Sequence, residues 1–474
     1  MTARSFNAML FITIVVFLAG SCSRGPAKEA AEVSWETMEE ILSEIVAPIF
    51  PNAVYDVTEF GAVGDGETLS TEAINAAIIA CSEAGGGMVM IPEGDYLTGA
   101  IHLKSNVNLH LSEGVVLKFS RNPEDFLPMV FTRWEGVELF NYSPFVYAYE
   151  QQNVAITGQG TLDGQATSEH WWYWKGPWSR ATWEIVPENQ VEARDRLIEM
   201  AENGLPVEER QFGAGHYLRP NFVQFYKCQN ILMEGITIIN SPMWVIHPVL
   251  SENITISNVS VISHGPNNDG CNPESSRNIL IQDSYFDTGD DCIAIKSGRN
   301  ADGRRLNVPS ENIIVRRCTM RDGHGGVVMG SEISGSVRNV FAEDCIMDSP
   351  NLDRIIRIKT NSIRGGVIEN IFVRNINVGR VRQAILHIDF DYEEGDAGAF
   401  TPLVRNIHLD NITSQSSDRA IFINAYERAP VTGVYIKDCT FNGVEKDNLI
   451  NNVEDLVLEN VTLNGEPMPG LSPE

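Results

Sequence analysis

An asparagine followed by a hydrophobic, a free and a second hydrophobic position recurs along this chain. It stands at Asn153, Asn230, Asn253, Asn278, Asn312, Asn339, Asn370 and Asn406, with weaker copies near Gly433 and Asp455. From Asn230 onward the steps are 23, 25, 34, 27, 31 and 36 residues. Unequal steps are what loop insertions on one face of a solenoid produce. Six places into successive copies stand Ile236, Val259, Ser284, Cys318, Cys345, Ile376, Ile412 and Cys439, a column of small or aliphatic side chains that only Ser284 breaks.

Between copies run short alternating segments such as ITISNVSV, NIIVRRCTM and GVYIKDC. Each is too short for a helix and reads as a strand of four to five residues. Two or three such strands per coil, stacked on the next coil, make a parallel β-helix with the alternate apolar residues inside. The expected fold is therefore all-β, a single-stranded right-handed parallel β-helix. A leucine-rich repeat would need a leucine framework that is missing, and a propeller would need closely spaced antiparallel hairpins, for which no signal is seen. Coils about 4.8 Å apart make residues one repeat apart spatial neighbours.

The body of the solenoid is expected over residues 51–464, with 465–474 as a loose tail. Near its start Ile74, Ala77, Ile78 and Cys81 share one face of a helix beginning near Ser70. That helix is expected to cap the open end, which otherwise exposes unpaired β edges. Ahead of the body, Arg4 and the apolar run MLFITIVVFLAG have the order of a signal peptide over residues 1–21. Cys22 directly after a small-residue site resembles a lipoprotein processing box, so residues 22–50 are expected to be a lipidated linker with a short helical segment, WETMEEILSEIV. The expected location is outside the cytoplasm, as a periplasmic or outer-membrane lipoprotein of a Gram-negative bacterium, touching membrane only through that lipid.

The other seven cysteines are an odd number without a CxxC pair, so they read as buried fillers rather than a disulfide framework or a zinc site. With 35 basic and 63 acidic side chains the net charge is −28. A nucleic-acid partner is excluded on that field, and an acidic ligand needs a local cationic patch. Between residues 164 and 220 the repeat is interrupted by a segment holding Trp171, Trp172, Trp174, Trp178 and Trp183, five of the eight tryptophans. It reads either as a set of sugar-stacking platforms on a cleft wall or as a lid with its own small core.

Asp269 and Asp290 lie 21 residues apart, and His324 and Arg357 follow Asp291 at two steps of 33. In IIRIK, alternation places Ile356 and Ile358 on one face with Arg357 and Lys359 on the other. Three carboxylates, an imidazole and two cations thus gather on one outer face. Crowded carboxylates divide into acid and base, as glycosidic hydrolysis requires. Calcium chelation and a ladder of turn-forming aspartates are the rival readings.

The segments NND (267–269), GDD (289–291), GHG (323–325) and RIK (357–359), in this order and in register with the repeat, resemble the active-site motifs of glycoside hydrolase family 28. This is the family of polygalacturonases and rhamnogalacturonan hydrolases, built on a pectin-lyase-like solenoid. The resemblance implies Asp290 as general acid and Asp269 with Asp291 as the pair activating water. It implies His324 as their neighbour, and Arg357 and Lys359 as ligands of a galacturonate carboxylate. Asn267 is a further candidate contact; His247, in SPMWVIHP, either faces the same groove or is packed. The middle residue of NND departs from the family's usual threonine while the presumed base is kept. The family is inverting, with acid and base carboxyls about 6.5 to 9.5 Å apart, and implies no metal or cofactor. The expected activity is a monomeric, exo-acting hydrolase of α-1,4-galacturonosidic bonds in pectic galacturonan. Rhamnogalacturonan or xylogalacturonan hydrolysis, calcium-dependent lysis and non-catalytic glycan binding are the alternatives.

Overall fold

Residues 33–468 are described by a computed structural model. Its body is a right-handed parallel β-helix. A 25-stranded sheet supplies two walls, and a four-stranded and a six-stranded sheet together line the third. Pairing between successive coils is in register, as in Ile254↔Ile279↔Ile313↔Val340↔Ile371↔Ile407. All these side chains are buried in one continuous core.

The recurrent asparagines have a conformational cause. Asn153, Asn230, Asn253, Asn278, Asn312, Asn339, Asn370 and Asn406 all have φ between +53° and +61°. Asparagine tolerates this left-handed region better than other residues that carry a Cβ. Their amides also stack from coil to coil, for example Asn339 Nδ2 on Asn312 Oδ1 at 3.0 Å and Asn370 Nδ2 on Asn339 Oδ1 at 2.9 Å. Ser284, the odd member of the aliphatic column, is buried with its hydroxyl satisfied. It donates to Gln282 O at 2.8 Å and accepts from Val259 N at 3.2 Å.

The helix Thr71–Glu83 buries Ile74, Ala77, Ile78 and Cys81 against the first coils and closes that end. The helix Trp35–Glu44 lies on the outside of the large sheet. Its Trp35 packs 5.7 Å from Phe341 and 6.1 Å from Phe372, under the guanidinium of Arg374. Further along the same strap, the backbone of Val46 exchanges two hydrogen bonds of 3.0 Å with the Asn253 amide. The strap thus crosses the coils that begin at Asn253 and end at Asn370. The seven cysteines from Cys81 to Cys439 are buried and unbridged. At the other end Glu466–Pro467 folds back antiparallel on Thr462–Leu463, so the expected tail begins as structure. Cys22 and the expected signal segment lie outside the described residues. Among the described residues, no helix is long and apolar enough to cross a membrane.

Two features depart from the expected pattern. An antiparallel hairpin, Val130–Trp134 with Val137–Asn141, leaves the solenoid and turns at Glu135 and Gly136, both at positive φ. The Trp-rich segment packs in two places. Trp171 and Trp174 are buried in the core, while the helix Val191–Glu202 packs Ala193, Leu197 and Ala201 against Trp134, Phe212 and Trp244.

Candidate active site

The strands Ile293–Ile295, Val327–Met329 and Arg354–Lys359 are neighbours in the six-stranded sheet. Register pairs Ala294 with Val328 and Val328 with Arg357. Ile356 and Ile358 fill the core, so Arg357 and Lys359 project outward into a cavity of about 320 Å³. The turns just before the first two strands carry Asp290–Asp291 and His324. Gly323 permits the second turn: it has φ +151°, and a Cβ there would sit 2.6 Å from the Asp290 carbonyl oxygen.

The expected residues converge, with one exception. His324 Nδ1 lies 2.9 Å from Asp290 Oδ1, which also accepts from the Asp291 amide at 3.0 Å. Asp291 is completely buried and is held by Lys359 Nζ at 2.6 Å and Arg357 Nη1 at 3.3 Å. Asp269 accepts from Asn272 Nδ2 at 2.7 Å, with Lys296 Nζ at 3.5 Å. Asn267 lines the cavity with its Oδ1 bound by Arg219 Nη2 at 2.8 Å. Asn268, the departure from the usual motif, is buried and ties the turn: its Oδ1 accepts from Ser263 Oγ at 2.7 Å and Gly265 N at 2.8 Å.

The exception is His247. Alternation does point it out of its coil, but the hairpin roofs it. The ring is fully buried, 2.7 Å from Glu274 Oε2 and within 3.1 Å of the amides of Asn221 and Gln224. Arg133 of the hairpin closes the assembly on Glu274 at 2.9 Å. His247 is a packed polar residue and does not line the cavity.

The electrostatics split the carboxyls. Burial, then the charge of Asp290, pushes the Asp269 carboxyl up to about 8. Burial also acts to raise Asp290 and Asp291, and it is overcome at both. The His324 imidazolium holds Asp290 well below the usual range, and Lys359 and then Arg357 do so for Asp291. Asp290 in return raises His324 above the ordinary imidazole value. In the free cleft these influences favour the proton on Asp269 and the charged forms of Asp290, Asp291 and His324. Lys296, His324, Arg357 and Lys359 already neutralise these carboxylates, which argues against the calcium reading.

Several cleft residues escaped the sequence reading. Lys296 bridges Asp269 to Glu332 Oε2 at 2.9 Å and lies 4.5 Å from the Trp244 ring centroid. The alternation that exposed RIK also applies to Cys292-Ile-Ala-Ile-Lys296, with Ile293 and Ile295 inside. Tyr392 lies beside Arg357 and Lys359, 5.5 and 5.3 Å from them. The fully buried Arg219, pulled down to about 9 by burial, pins the Trp-rich segment to the solenoid through Pro242 O at 2.8 Å and Pro266 O at 2.7 Å. Nothing in the local sequence around Arg219 marks it.

Residues 212–462, more than half of the chain, match the profile of Glycosyl hydrolases family 28. The chain belongs to this family. Residues 54–110 also match Rhamnogalacturonase A/epimerase, pectate lyase-like. The family 28 chain is similar to the crystal structure of a hyperthermoactive exopolygalacturonase from Thermotoga maritima. The likeness is 47% identity with a TM-score of 0.90, over 93% of this chain and 98% of that one. A probable polygalacturonase of Vitis vinifera is 28% identical over 91% of this chain and 81% of its own length. The exo-poly-alpha-D-galacturonosidase of Dickeya chrysanthemi is 27% identical over 77% of this chain and 62% of its own length.

Proposed function

We propose that this family 28 enzyme is an inverting exo-polygalacturonase. The observation that carries the reading is the hydrogen-bonded Asp290–His324 pair set between Asp269 on one side and the Asp291–Arg357–Lys359 cluster on the other. Asp290 is the most exposed of the three carboxyls, at 19% against 4% for Asp269 and none for Asp291. It is the acid that meets the glycosidic oxygen, while Asp269 and Asp291 hold and deprotonate the water. Arg357 and Lys359 take the substrate carboxylate, the planar guanidinium suiting a bidentate contact.

The protonation pattern of the free cleft is one proton transfer away from this state. Asp269 holds the proton that Asp290 needs. A bound galacturonate brings negative charge beside Asp290 and weakens its hold on the ionised form. Once the proton lies on Asp290, the second of the two influences that raised Asp269 is gone, and the Lys296 and Lys359 ammoniums favour its ionised form against the burial that remains, so Asp269 serves as the base. Loading the substrate thus redistributes one proton within the pair, without exchange with solvent.

The walls of the cavity support exo action. The Trp-rich segment contributes Lys175, Trp178 and Arg194 to the cavity, and the loop 391–400 contributes Tyr392 and Glu393. That loop is fastened by Arg364 to Glu393 at 2.9 Å and by Asn361 to Glu394 at 2.8 Å. Walls from these two segments favour a site that takes a chain terminus. The proposal extends to export, with Cys22 as the acylated first residue; loss of the membrane-bound form in Cys22→Ser tests that part.

Product analysis on oligogalacturonides tests the function. Saturated monomer, absent with Asp290→Asn and insensitive to chelator, is the expected outcome. Mixed oligomers would reassign the enzyme as endo-acting. Product from rhamnogalacturonan alone would move the substrate, and an unsaturated product would overturn hydrolysis.

A further inference from the structure

The turn Gly323-His324-Gly325 carries the imidazole that pairs with Asp290, and its three carbonyl oxygens leave the ladder and need donors elsewhere. Two are held by backbone. Gly323 O accepts from Asp353 N at 2.9 Å, and Gly325 O accepts from Cys292 N at 2.8 Å. The His324 amide is held as well, donating to Asp290 O at 3.0 Å. The His324 carbonyl has one donor among the described residues, the Arg354 guanidinium, whose Nη1 lies at 3.2 Å.

Arg354 is itself fixed in place. It opens the strand Arg354–Lys359, where register sets it against Ala384 of the following coil. Its Nη2 donates to Gln383 Oε1, and its Nη1 lies 3.5 Å from Asp353 Oδ2. The side chain is 12% exposed and does not line the cavity. Burial, and then the charge of Arg357, pulls the guanidinium down to about 10, with Asp353 and Asp291 offsetting part of that cost. Electrostatics alone would favour a neutral side chain here. What the guanidinium supplies is a donor to the His324 carbonyl from the next coil.

We propose that Arg354 is a positioning residue for the reaction: it holds the His324 turn and so keeps the imidazole 2.9 Å from Asp290. The support runs over four coils, those beginning at Asn278, Asn312, Asn339 and Asn370, from Asp290 by way of His324 and Arg354 to Gln383. The inference rests on the hydrolase reading above and adds to it a residue that touches neither substrate nor reacting atoms.

The test follows both the His324 ring and the kinetics of the full-length protein. In the wild type Asp290 and Asp291 raise the titration midpoint of His324, while Lys359 lowers it. Arg354→Gln removes one positive charge, which alone would move that midpoint further up. Release of the turn takes the ring away from Asp290 and moves the midpoint down, towards the ordinary value of about 6.5. The downward shift is the expected result, read by NMR of ring-labelled histidine with His324→Gln as the assignment control. With it, kcat on trigalacturonate falls about tenfold to a hundredfold, the scale for a displaced catalytic group, and KM stays within about threefold. Arg354→Lys, which keeps a donor and the charge, recovers most of both. Gln383→Ala frees the guanidinium without removing it and moves both readouts the same way by less, which keeps the test open if Arg354→Gln fails to fold. A midpoint unchanged or raised in these two variants, an unchanged kcat, or a loss confined to KM overturns the positioning role. A wild type inactive on oligogalacturonides overturns the hydrolase reading, while the ring titration decides separately whether Arg354 holds the turn.

Discussion

Replacing Lys296 by methionine keeps the length of the side chain and removes one charge 3.5 Å from Asp269. At an effective dielectric of about 20 that ammonium stabilises the ionised Asp269 by about 5 kcal/mol. It also lowers Asp290, so part of the loss is common to both carboxyls and cancels in the proton transfer between them. A differential of about 2 kcal/mol remains, which is roughly thirtyfold in kcat. KM should stay within about threefold, because Lys296 is engaged by Asp269 and Glu332 rather than by the proposed substrate carboxylate. Steady-state kinetics on trigalacturonate below the thermal midpoint provides the assay. Because the single substitution leaves Glu332 with Arg299 as its one ion-pair partner among the described residues, the charge-balanced Lys296→Met/Glu332→Gln protein serves as the folding control and should show the same kcat defect. A kcat within threefold of wild type in both proteins, or a loss confined to KM, would refute the proton redistribution.

Asp269→Asn should be inactive and more stable at neutral pH. A carboxyl raised in the fold contributes stability that is present below its unfolded value of about 3.9 and is lost as pH rises through about 8. The gain in chemical denaturation, about 4 kcal/mol at pH 7, should vanish near pH 4; a variant less stable than wild type at pH 7 contradicts the shift. Tyr392→Leu should raise KM about five- to tenfold with little effect on kcat, since the ring flanks both carboxylate-binding cations; a kcat-only effect would exclude that role. Asn339→Ala should destabilise by about 2 kcal/mol through two lost amide bonds and the left-handed backbone. Asn339→Gly, which relieves the backbone, should cost about half as much by urea unfolding.

The solenoid was legible because its coil turns need a residue that accepts positive φ, and asparagine at a near-regular step betrays them. Arg357 and Lys359 were legible because strand alternation leaves two cations no place in the core. Lys296 obeys the same rule in IAIK, but its partner Glu332 lies 36 residues on, so no local signal marked it. His247 also obeys the rule and still misleads, since a hairpin from residues 130–141 covers it. Lys175 and Arg219 belong to the segment where the repeat is broken. Without a period, nothing there tells a cleft residue from a buried one.

A stack of coils that touch only their neighbours can fray one coil at a time from either end. The strap described above changes that arithmetic. By holding Asn253 through Val46 and the Phe341–Phe372 pair through Trp35, it ties together the five coils starting at Asn253, Asn278, Asn312, Asn339 and Asn370. The Asp290, His324 and Arg357 turns lie within the same span. Amide hydrogens across those coils are expected to exchange as one cooperative block, while the coils beyond Asn406 exchange earlier and independently.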